Sequence, residues 1–295
     1  MKRAKLNTSG LPGTAASYAT HFSAAITRMP ADTAVDGLRA VDTGAVDIEL
    51  MAEQHIEYQQ ALRQAGAIVT ELPALPAYPD AQFVEDTALC LPNLVVMMRP
   101  GAETRRGEVA PMREVLLPLF ENIADITDGC IEAGDILTTP FEVLVGLSAR
   151  TNQTGADQLR QILNGHGYPM RILKTPSDVL HFKTDCSLIA DQCILSTQRL
   201  ASNGCFEDYQ TLLVPTGEEA AANMIRYNDH IIMPAGFPKT ETMLRAKGFT
   251  IICVGNSECA KIDGGMSCLP QLLHPSVLAE FSSPQNSHLM PNVLC

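Results

Sequence analysis

Apolar and polar stretches recur along the chain in one order: an apolar strand, a short polar turn, a second apolar strand, a helical stretch and a third strand. A unit of this kind, about 45 residues long, cannot bury its apolar faces alone. The pattern therefore predicts several stacked copies of one α/β supersecondary unit. The clearest copy has predicted strands at 132–137, 143–147 and 170–173 and a predicted helix at 154–164.

Five copies of this unit are legible, although their sequences have diverged. A closed ring of five is the economical way to stack them, and it would place the first strand of each copy along a central axis. The expected fold class is therefore α/β, as a ring of five ββαβ repeats. The other predicted strands are 23–27, 68–72, 85–90, 94–99, 181–188, 193–196, 221–225, 230–233 and 250–254, and the other predicted helices are 50–64, 109–120 and 238–246.

Polar residues recur where these first strands begin. In a closed ring they would converge at one mouth of the central axis and form a site. The alternative is that such carboxylates and amides only cap backbone groups, which is the usual role of one such residue taken alone. Their recurrence in four repeats favours a site. The residues are Glu85, Asp86, Glu132, Asp135, His181 and Asn223.

Composition narrows the class of protein. The 295 residues are 46% hydrophobic, which is enough for a sizeable core in one large domain or two ordinary ones. Only 18% are charged and the net charge is −12, so the chain lacks the basic surface that phosphate binding requires. Nucleic acid is not an expected partner. An acidic protein instead attracts cationic small molecules, although salt screens this attraction.

The sequence also predicts where the protein works. No apolar run approaches the roughly 18 residues of a membrane span, and no signal-peptide core follows the N-terminus, so no membrane association and a cytoplasmic location are expected. The nine cysteines include no Cys-x-x-Cys pair, which indicates free thiols. Most of them lie in apolar runs, as Cys253 does, where cysteine acts as a small buried hydrophobe.

The two ends fit no repeat. Residues 1–20 and 274–295 are rich in serine, asparagine and proline, and we interpret them as an N-terminal extension and a C-terminal tail that are poorly ordered or peripheral. A single catalytic domain is expected at 21–273.

One cysteine stands in a different context. Cys268 follows Lys261-Ile262-Asp263-Gly264-Gly265-Met266-Ser267, where two glycines allow a ligand to approach the backbone closely. Because a reactive thiolate needs partial exposure and a polarising neighbour, Cys268 is the candidate nucleophile. Of the seven histidines, only His181 begins a first strand, which makes it the candidate proton carrier. Glu132, in the same register, would hold the imidazole in one orientation.

Other catalytic motifs are absent from the sequence. It contains no Gly-x-Gly-x-x-Gly, no Walker loop, no Gly-x-Ser-x-Gly and no His-Glu-x-x-His. Nucleotide-binding, serine-hydrolase and zinc-protease functions therefore lack support, and neither a cofactor nor a metal is predicted.

Motifs from about residue 22 to about residue 269 resemble those of bacterial dimethylarginine dimethylaminohydrolases. These enzymes share the guanidino-group-modifying superfamily with arginine deiminases and amidinotransferases. The motifs are Val35-Asp36-Gly37-Leu38, Tyr78-Pro79-Asp80-x-x-Phe83-Val84-Glu85-Asp86, Arg99-Pro100-Gly101-Ala102-Glu103-x-Arg105-Arg106-Gly107-Glu108, Glu132-Ala133-Gly134-Asp135, Ser148-Ala149-Arg150-Thr151-Asn152, Val179-Leu180-His181-x-Lys183-Thr184, Met233-Pro234-Ala235-Gly236 and Lys261-Ile262-Asp263-Gly264-Gly265-x-Ser267-Cys268.

The resemblance implies a five-bladed α/β propeller, or pentein, that hydrolyses Nω-methylated arginine to citrulline and a methylamine in its central channel. It implies Cys268 as nucleophile, His181 as general acid and base, and Glu132 as the partner of the histidine. It further implies substrate contacts in three groups: Asp86 and Glu85 for the guanidinium, Arg105 and Arg150 for the α-carboxylate, and Asp80 with the backbone at Leu38 and Ile262 for the α-amino group.

Two alternatives stay open at this point. The same site could hydrolyse arginine or another substituted guanidine, because the motifs do not specify the alkyl group. A propeller used only for binding would belong to a different class, but it would have no reason to keep the cysteine, histidine and glutamate together. The expected partner is a small guanidino amino acid, and a homodimer is allowed for.

Overall fold

A computed structural model of the chain describes residues 17–279. The described strands are β1 (Ala24–Arg28), β2 (Ile68–Leu72), β3 (Ala88–Leu91), β4 (Leu94–Met97), β5 (Ile123–Asp125), β6 (Ile136–Thr138), β7 (Val143–Leu147), β8 (Met170–Lys174), β9 (Cys186–Ala190), β10 (Cys193–Ser196), β11 (Gln210–Leu213), β12 (Ile225–Tyr227), β13 (His230–Pro234), β14 (Thr250–Val254) and β15 (Gln271–Leu273). The α-helices are α1 (Ile48–Gln64), α2 (Val109–Leu116), α3 (Gln153–Gly165), α4 (Gln198–Ala201), α5 (Pro238–Ala246), α6 (Ser257–Ala260) and α7 (Pro275–Ala279).

The strands form five sheets of three strands each, which are the five blades of the predicted α/β propeller. In every blade the middle strand pairs antiparallel with one neighbour and parallel with the other. Four blades follow chain order, with a hairpin, a helical connection and a parallel third strand. We number the blades by their middle strands, β1, β4, β7, β10 and β13, from blade 1 to blade 5.

Blade 1 is built from both ends of the described chain. Strand β1 is its middle strand, with β2 parallel on one side and β15 antiparallel on the other, so that Ala24 lies opposite Leu273. The sequence prediction began the first repeat at 23–27. This is wrong, because the first strand of blade 1 is β15 and 23–27 corresponds to its middle strand. Only three residues form β15, too few for a recognisable apolar run, and their partner lies almost the whole chain away. The pairing of β15 with β1 closes the ring.

Helix α1 shows why the local sequence folds as it does. Asp47 caps its N-terminus by accepting the Leu50 N–H at 3.1 Å. Met51, Tyr58 and Leu62 recur at helical spacing on one face and are fully buried. Burying a side chain of this size stabilises the fold by roughly 1.5–3 kcal/mol. The helix is therefore held against blades 1 and 5 by that face.

Middle strands and outer strands differ in burial. All four residues of β4 are buried, as expected for a strand covered on both faces. The outer strand β14 has only two buried residues, Ile251 and Val254; Cys253 is exposed, and the prediction that it is buried is wrong. Two further outer strands, β5 and β11, lack the apolar run on which the sequence prediction depended.

A 3-10 turn precedes the first strand of every blade. The polar residues predicted to begin these strands lie in or next to the turns, so the prediction of strand structure is wrong there, while the prediction of their position at the start of each blade is confirmed. The five turns are Val84–Thr87, Ala133–Asp135, Phe182–Thr184, Glu219–Ala222 and Met266–Cys268.

The packed structure extends slightly beyond the limits predicted for the domain. Tyr18 is buried and meets the ring of Tyr168 edge-on, with centroids 5.7 Å apart. Val277, in α7, is also buried. The rest of the predicted extension and tail, residues 1–16 and 280–295, lies outside the described residues. Within residues 17–279, no helix has both the length and the hydropathy needed to cross a membrane.

Candidate active site

Side chains at the start of the blades link neighbouring turns. In three places a side-chain oxygen from one blade accepts a backbone N–H from the turn of the next blade. The backbone-capping role is therefore real for these residues, and it also ties the turns together. The acceptor and donor pairs are Asp86 with Gly134 (2.8 Å), Asp135 with Phe182 (2.8 Å) and Asn223 with Ser267 (2.9 Å).

Two other side chains complete the circle. The Oγ of Ser187, in blade 4, lies 2.7 Å from the Ala222 carbonyl oxygen of blade 5. The Nε2 of Gln271, in β15, lies 2.9 Å from the carbonyl oxygen of Val84. Each blade is thus joined to the next by a side-chain hydrogen bond at the same end. This ring fixes the relative positions of the turns that carry the candidate catalytic residues.

Glu132 and His181 form a close pair inside this ring. Their Oε2 and Nε2 atoms are 2.6 Å apart, and Glu132 is fully buried. Burial alone would lower the pKa of His181, but the charge of Asp86 and the hydrogen bond that His181 donates to Glu132 outweigh it and raise the pKa to about 9. The imidazole is therefore protonated at neutral pH and can act as an acid.

Gly134 makes this arrangement possible because it has no side chain. A Cβ atom there would lie 2.9 Å from Oδ1 of Asp86 and 3.0 Å from Cγ of His181, closer than atoms tolerate. Its backbone fills the gap between the two side chains. One oxygen each of Asp86 and Glu132 and one ring nitrogen of His181 all lie within 4.8 Å of one another.

These three side chains could in principle hold a metal ion, because each offers an oxygen or nitrogen ligand. The hydrogen bonds that Asp86 and Glu132 already make argue against a metal ion at this position. The Asp86 carboxylate accepts bonds from Arg105 and Gly134, and Glu132 holds the imidazole. A metal also needs a neutral imidazole, whereas the raised pKa keeps His181 protonated. The donor set therefore favours an ion-paired acid and base cluster.

Asp86 is held ionised by Arg105. The Nη1 of Arg105 is 2.6 Å from Oδ2 of Asp86, and both side chains are buried. Burial would raise the pKa of Asp86, but the charges of Arg105 and His181 bring it down to about 2. Arg105 also donates two hydrogen bonds to the Glu108 carboxylate, from Nε at 3.1 Å and from Nη2 at 2.8 Å.

The two arginines expected to bind a substrate carboxylate thus have different surroundings. Most donors of Arg105 are already engaged with Asp86, Glu108 and backbone carbonyl groups. Arg150 has a single long contact, 3.5 Å from its Nη1 to Oε1 of Glu132, and its side chain is 19% exposed. Arg150 is therefore the more available of the two for an incoming carboxylate.

Cys268 ends the turn of blade 1. Its Sγ accepts the Gly265 N–H at 3.4 Å, and the residue is buried. Burial raises the pKa of the Cys268 thiol, the charges of Glu85 and Asp86 raise it further, and the result is about 12. The resting residue is therefore a thiol, and it needs an added positive charge nearby to become a thiolate.

Glu85 connects the histidine turn with the cysteine turn. One carboxylate oxygen pairs with Lys183, and the other accepts the Ser267 hydroxyl at 3.1 Å. Burial raises the pKa of Glu85 to about 7 although Lys183 opposes the shift. A buried carboxylate of this kind is suited to a cation that brings its own hydrogen-bond donors.

Leu38, Asp80 and Ile262 come together at another part of the site. Oδ1 of Asp80 accepts the Leu38 N–H at 3.0 Å. Gly37, next in the chain, lies close enough that a Cβ there would be 3.0 Å from Ile262 Cδ1. The structure thus brings these three residues together, as the resemblance predicts. Burial raises the pKa of Asp80.

A cavity of about 540 Å³ opens beside the turns of His181 and Cys268. Leu180 and Thr184, which lie close to His181 in sequence, line it together with Asn223 and Gly265. Its size fits a small molecule, but none of the residues assigned to catalysis or to substrate contacts lines it, so it lies beside the cluster.

Sequence reasoning assigned no role to three residues that structure this site: Glu108, Lys183 and Ser267. Each lies inside a motif that carries the family resemblance, within three residues of an assigned site residue. Proximity in sequence to an assigned residue was therefore the available signal. The charged side chain that each of these three residues contacts could be learned only from the structure.

The chain matches the family model described as Arginine deiminase over residues 36–261. It is 37% identical over 250 residues to the N(G),N(G)-dimethylarginine dimethylaminohydrolase of Pseudomonas aeruginosa, covering 84% of this chain and 98% of that protein. It is 30% identical over 252 residues to the protein of the same name from Streptomyces coelicolor, covering 83% and 95%. The family model ends before Cys268.

Solved structures agree with these relatives. A cysteine-to-serine variant of the Pseudomonas aeruginosa enzyme complexed with citrulline superposes with a TM-score of 0.84 at 36% identity, covering 86% of this chain and all of that one. The N-terminal domain of ArgZ, an arginine dihydrolase from cyanobacteria, superposes with a TM-score of 0.76 at 19% identity, covering 86% and 97%. At that identity the second match shows only a shared fold.

Proposed function

The chain belongs to the arginine deiminase family, with dimethylarginine dimethylaminohydrolases as relatives over most of its length, and from this premise we propose that it hydrolyses Nω-methylated arginine to citrulline and a methylamine. It is a hydrolase of guanidino C–N bonds. The observation that carries the proposed mechanism is the 2.6 Å contact between Glu132 and His181 within a buried carboxylate cluster beside the Cys268 turn. A buried imidazolium held in this way is an acid placed to protonate a departing amine.

The carboxylates of the site suit the guanidinium end of the substrate. Asp86 is ionised, and Glu85 lies beside it with a pKa near neutrality. A planar cation with several N–H donors can pair with both, and charge-assisted hydrogen bonds orient as well as bind it. We assign these two residues to the guanidinium, Arg150 to the α-carboxylate, and Asp80 with the backbone at Leu38 and Ile262 to the α-amino group.

We also keep Arg105 in the proposed site for the substrate α-carboxylate, and we assign it a second role. Because its Nη1 already pairs with Asp86, it also keeps that carboxylate charged and in place. Its loss would therefore disturb the guanidinium end of the substrate as well as the amino-acid end.

Substrate binding would activate the nucleophile. A guanidinium between Asp86 and Cys268 supplies the positive charge that the resting thiol lacks, so the thiol releases its proton to solvent and becomes a thiolate. The thiolate attacks the central guanidinium carbon, forming a C–S bond. His181 then donates its proton to the substituted nitrogen as the C–N bond breaks, which releases the methylamine and leaves a thiouronium.

Hydrolysis of the thiouronium would regenerate the enzyme. The neutral His181 takes a proton from a water molecule as the water oxygen bonds to the carbon. The resulting tetrahedral adduct collapses with cleavage of the C–S bond, and its hydroxyl proton passes to the Cys268 sulfur as citrulline forms. His181 is again protonated, as its raised pKa favours.

Hydrolysis of arginine itself is the second candidate, favoured by the arginine deiminase family model. A panel of arginine, monomethylarginine and asymmetric dimethylarginine separates the two. Citrulline is measured for each substrate, together with ammonia, methylamine or dimethylamine. We expect the higher kcat/KM for the methylated substrates, with one amine released per citrulline. A higher value for arginine would assign the protein to arginine hydrolysis, and citrulline from none of the three would reject both.

For the cellular setting we propose the cytoplasm. All eight cysteines within residues 17–279 are unpaired, which suits a reducing compartment. The proposed partner is the guanidino amino acid alone, without nucleic acid. A homodimer stays a prediction that size-exclusion chromatography with light scattering would test.

A further inference from the structure

Asn223, in blade 5, contacts the turn that carries Cys268 in blade 1. Its Oδ1 accepts the N–H of Ser267 at 2.9 Å, and the residue is only 7% exposed. It also packs on Gly265, where a Cβ would lie 2.4 Å from Cγ of Asn223. Gly265 in turn donates its N–H to the Cys268 sulfur at 3.4 Å. The amide of Asn223 thus touches two residues of the segment 265–268 that holds the sulfur, Gly265 and Ser267.

We infer that Asn223 is a positioning residue for the nucleophile: its side-chain amide holds the turn 265–268 and so sets the direction of the Cys268 sulfur. The inference rests on the proposed role of Cys268 as nucleophile. Gly265 lies so close to the Asn223 amide that a Cβ there would be 2.4 Å from Cγ, 2.5 Å from Nδ2 and 2.6 Å from Oδ1, so a displaced Asn223 would release the turn. Mispositioning a reacting group by about 1 Å can cost a hundredfold in rate.

The chemical nature of Asn223 supports this inference. The same kind of blade-to-blade link is made by carboxylates elsewhere in the ring, Asp86 to Gly134 and Asp135 to Phe182. At the cysteine turn the acceptor is a neutral amide. The charges of Glu85 and Asp86 already oppose ionisation of the Cys268 thiol. A third carboxylate would oppose it more, whereas an amide keeps the hydrogen bond without adding charge.

Two variants separate the hydrogen bond from the charge. Asn223→Asp keeps an acceptor oxygen of the same shape but adds a negative charge near the thiol. Asn223→Ala removes the acceptor and adds no charge. The readout is the rate at which iodoacetamide alkylates Cys268 in the full chain between pH 7 and pH 11, followed on the Cys268 peptide by mass spectrometry. Steady-state kcat and KM are measured with dimethylarginine alongside.

We expect Asn223→Asp to move the alkylation profile to higher pH by about one unit. Asn223→Ala should lower kcat by about tenfold to a hundredfold with KM changed much less, because the groups that bind the substrate stay in place. Its alkylation profile should keep the pH dependence of the unmodified protein while its rate changes. A residue that only stabilises the fold would change the melting temperature and move neither profile nor kcat.

Asn228, in the same blade, offers a matched control. Its side chain also links two parts of the chain, accepting the Phe22 N–H at 3.0 Å and donating to the Phe22 carbonyl at 3.1 Å. Its φ of 52° is one that glycine adopts freely, so Asn228→Gly removes the link without backbone strain. Asn228→Gly and Asn228→Asp should lower stability while leaving Cys268 alkylation and kcat unchanged.

The outcomes are distinct. If Asn223→Asp and Asn223→Ala alkylate and turn over like the unmodified protein, Asn223 does not position the nucleophile and the inference is overturned. The same conclusion follows if their effects equal those of the Asn228 variants. Should Asn223→Ala fail to fold, Asn223→Ser, whose shorter uncharged side chain cannot reach the Ser267 N–H, takes its place in the same kcat and alkylation measurements. If the unmodified protein hydrolyses no guanidine, the proposed function fails, but the alkylation profiles still test Asn223.

Discussion

Glu132 and His181 lie 49 residues apart in the chain and meet at 2.6 Å. Each is the residue immediately before a 3-10 turn, Glu132 in blade 3 and His181 in blade 4. The separation is one repeat of the propeller. Two residues at equivalent positions of neighbouring blades thus form a close carboxylate–imidazole pair. The repeat that builds the fold therefore also brings together the two residues to which we assign the proton transfer.

The first prediction concerns the protonation of His181. Its pKa of about 9 depends on negative charges that favour the imidazolium, so removing one of them must lower the pKa. We expect Glu132→Gln to shift the titration of His181 downward by about one unit or more and to lower kcat. Histidine side-chain NMR between pH 5 and pH 10 measures the shift, with the resonance assigned by its loss in His181→Ala.

Glu218→Gln is the matched control for this titration. Glu218 also accepts hydrogen bonds through its carboxylate, from Thr240 at 2.7 Å, but it does so at the start of α5. It should lower stability and leave the His181 titration unchanged. An unchanged titration in Glu132→Gln would show that Glu132 does not control the imidazole.

The second prediction concerns the nucleophile. Cys268→Ser should abolish turnover while leaving the melting temperature nearly unchanged, because a hydroxyl ionises far less readily than a thiol and His181, already protonated, cannot act as its base. Cys253→Ser is the control, since Cys253 is exposed on the outer strand β14 and should leave kcat and stability unchanged. Citrulline formation is the measurement. Turnover within a few fold of normal would remove Cys268 from the mechanism.

The sequence predicts the continuous apolar runs best. Strands β7, β10 and β14 and helix α5 have the predicted bounds. In β7 and β10 a run of mostly buried residues between turns leaves little freedom. Strand β15 could not be predicted, since three residues carry no pattern and their partner β1 is remote in sequence. The pairing of β1 with β15 depends on closure of the ring, and a short stretch of sequence carries no information about it.

Some contacts in the site could likewise be predicted from the sequence, and others could not. Repeat position is enough to predict that His181 and Glu132 meet, because equivalent residues of a ring must converge. The pairing of Arg105 with Asp86 and Glu108 could not be predicted in that way. Which carboxylate a guanidinium meets depends on side-chain directions and on burial, and both are set by the packed fold rather than by spacing.

The third prediction tests the close packing at Gly134. A methyl group there would be forced against Asp86 and His181, so Gly134→Ala should destabilise the protein by about 1–3 kcal/mol, as overpacking usually does. Activity should fall as well, because the two side chains must separate. Urea unfolding and kcat are the measurements.

Gly165, the last residue of α3, is the matched control, since a Cβ there would meet nothing within 4 Å. Gly165→Ala should be neutral or stabilising by about 0.4–1 kcal/mol. If Gly134→Ala were as stable and as active as Gly165→Ala, Gly134 would not be closely packed against Asp86 and His181.

The last prediction concerns the amino-acid end of the substrate, where Arg150 is the more available arginine. A charge-assisted hydrogen bond contributes about 1.5–3 kcal/mol, so Arg150→Ala should lower kcat/KM for dimethylarginine by roughly 10–150-fold. Agmatine has no carboxylate to lose, and its already low kcat/KM should change little. Arg105→Ala should instead lower kcat/KM for both substrates, because Arg105 also holds Asp86 at the guanidinium end.

Arg160→Ala is the control for Arg150→Ala, because Arg160 is a partly exposed arginine of α3 that pairs only loosely with Asp157 at 3.5 Å. It should leave both substrates unaffected. Citrulline or carbamoylputrescine is measured under the same conditions for all three variants. If the unmodified protein turned over agmatine as well as dimethylarginine, a carboxylate would contribute nothing to recognition. Arg150 would then have no substrate partner, and the assignment of an amino-acid substrate would fall with it.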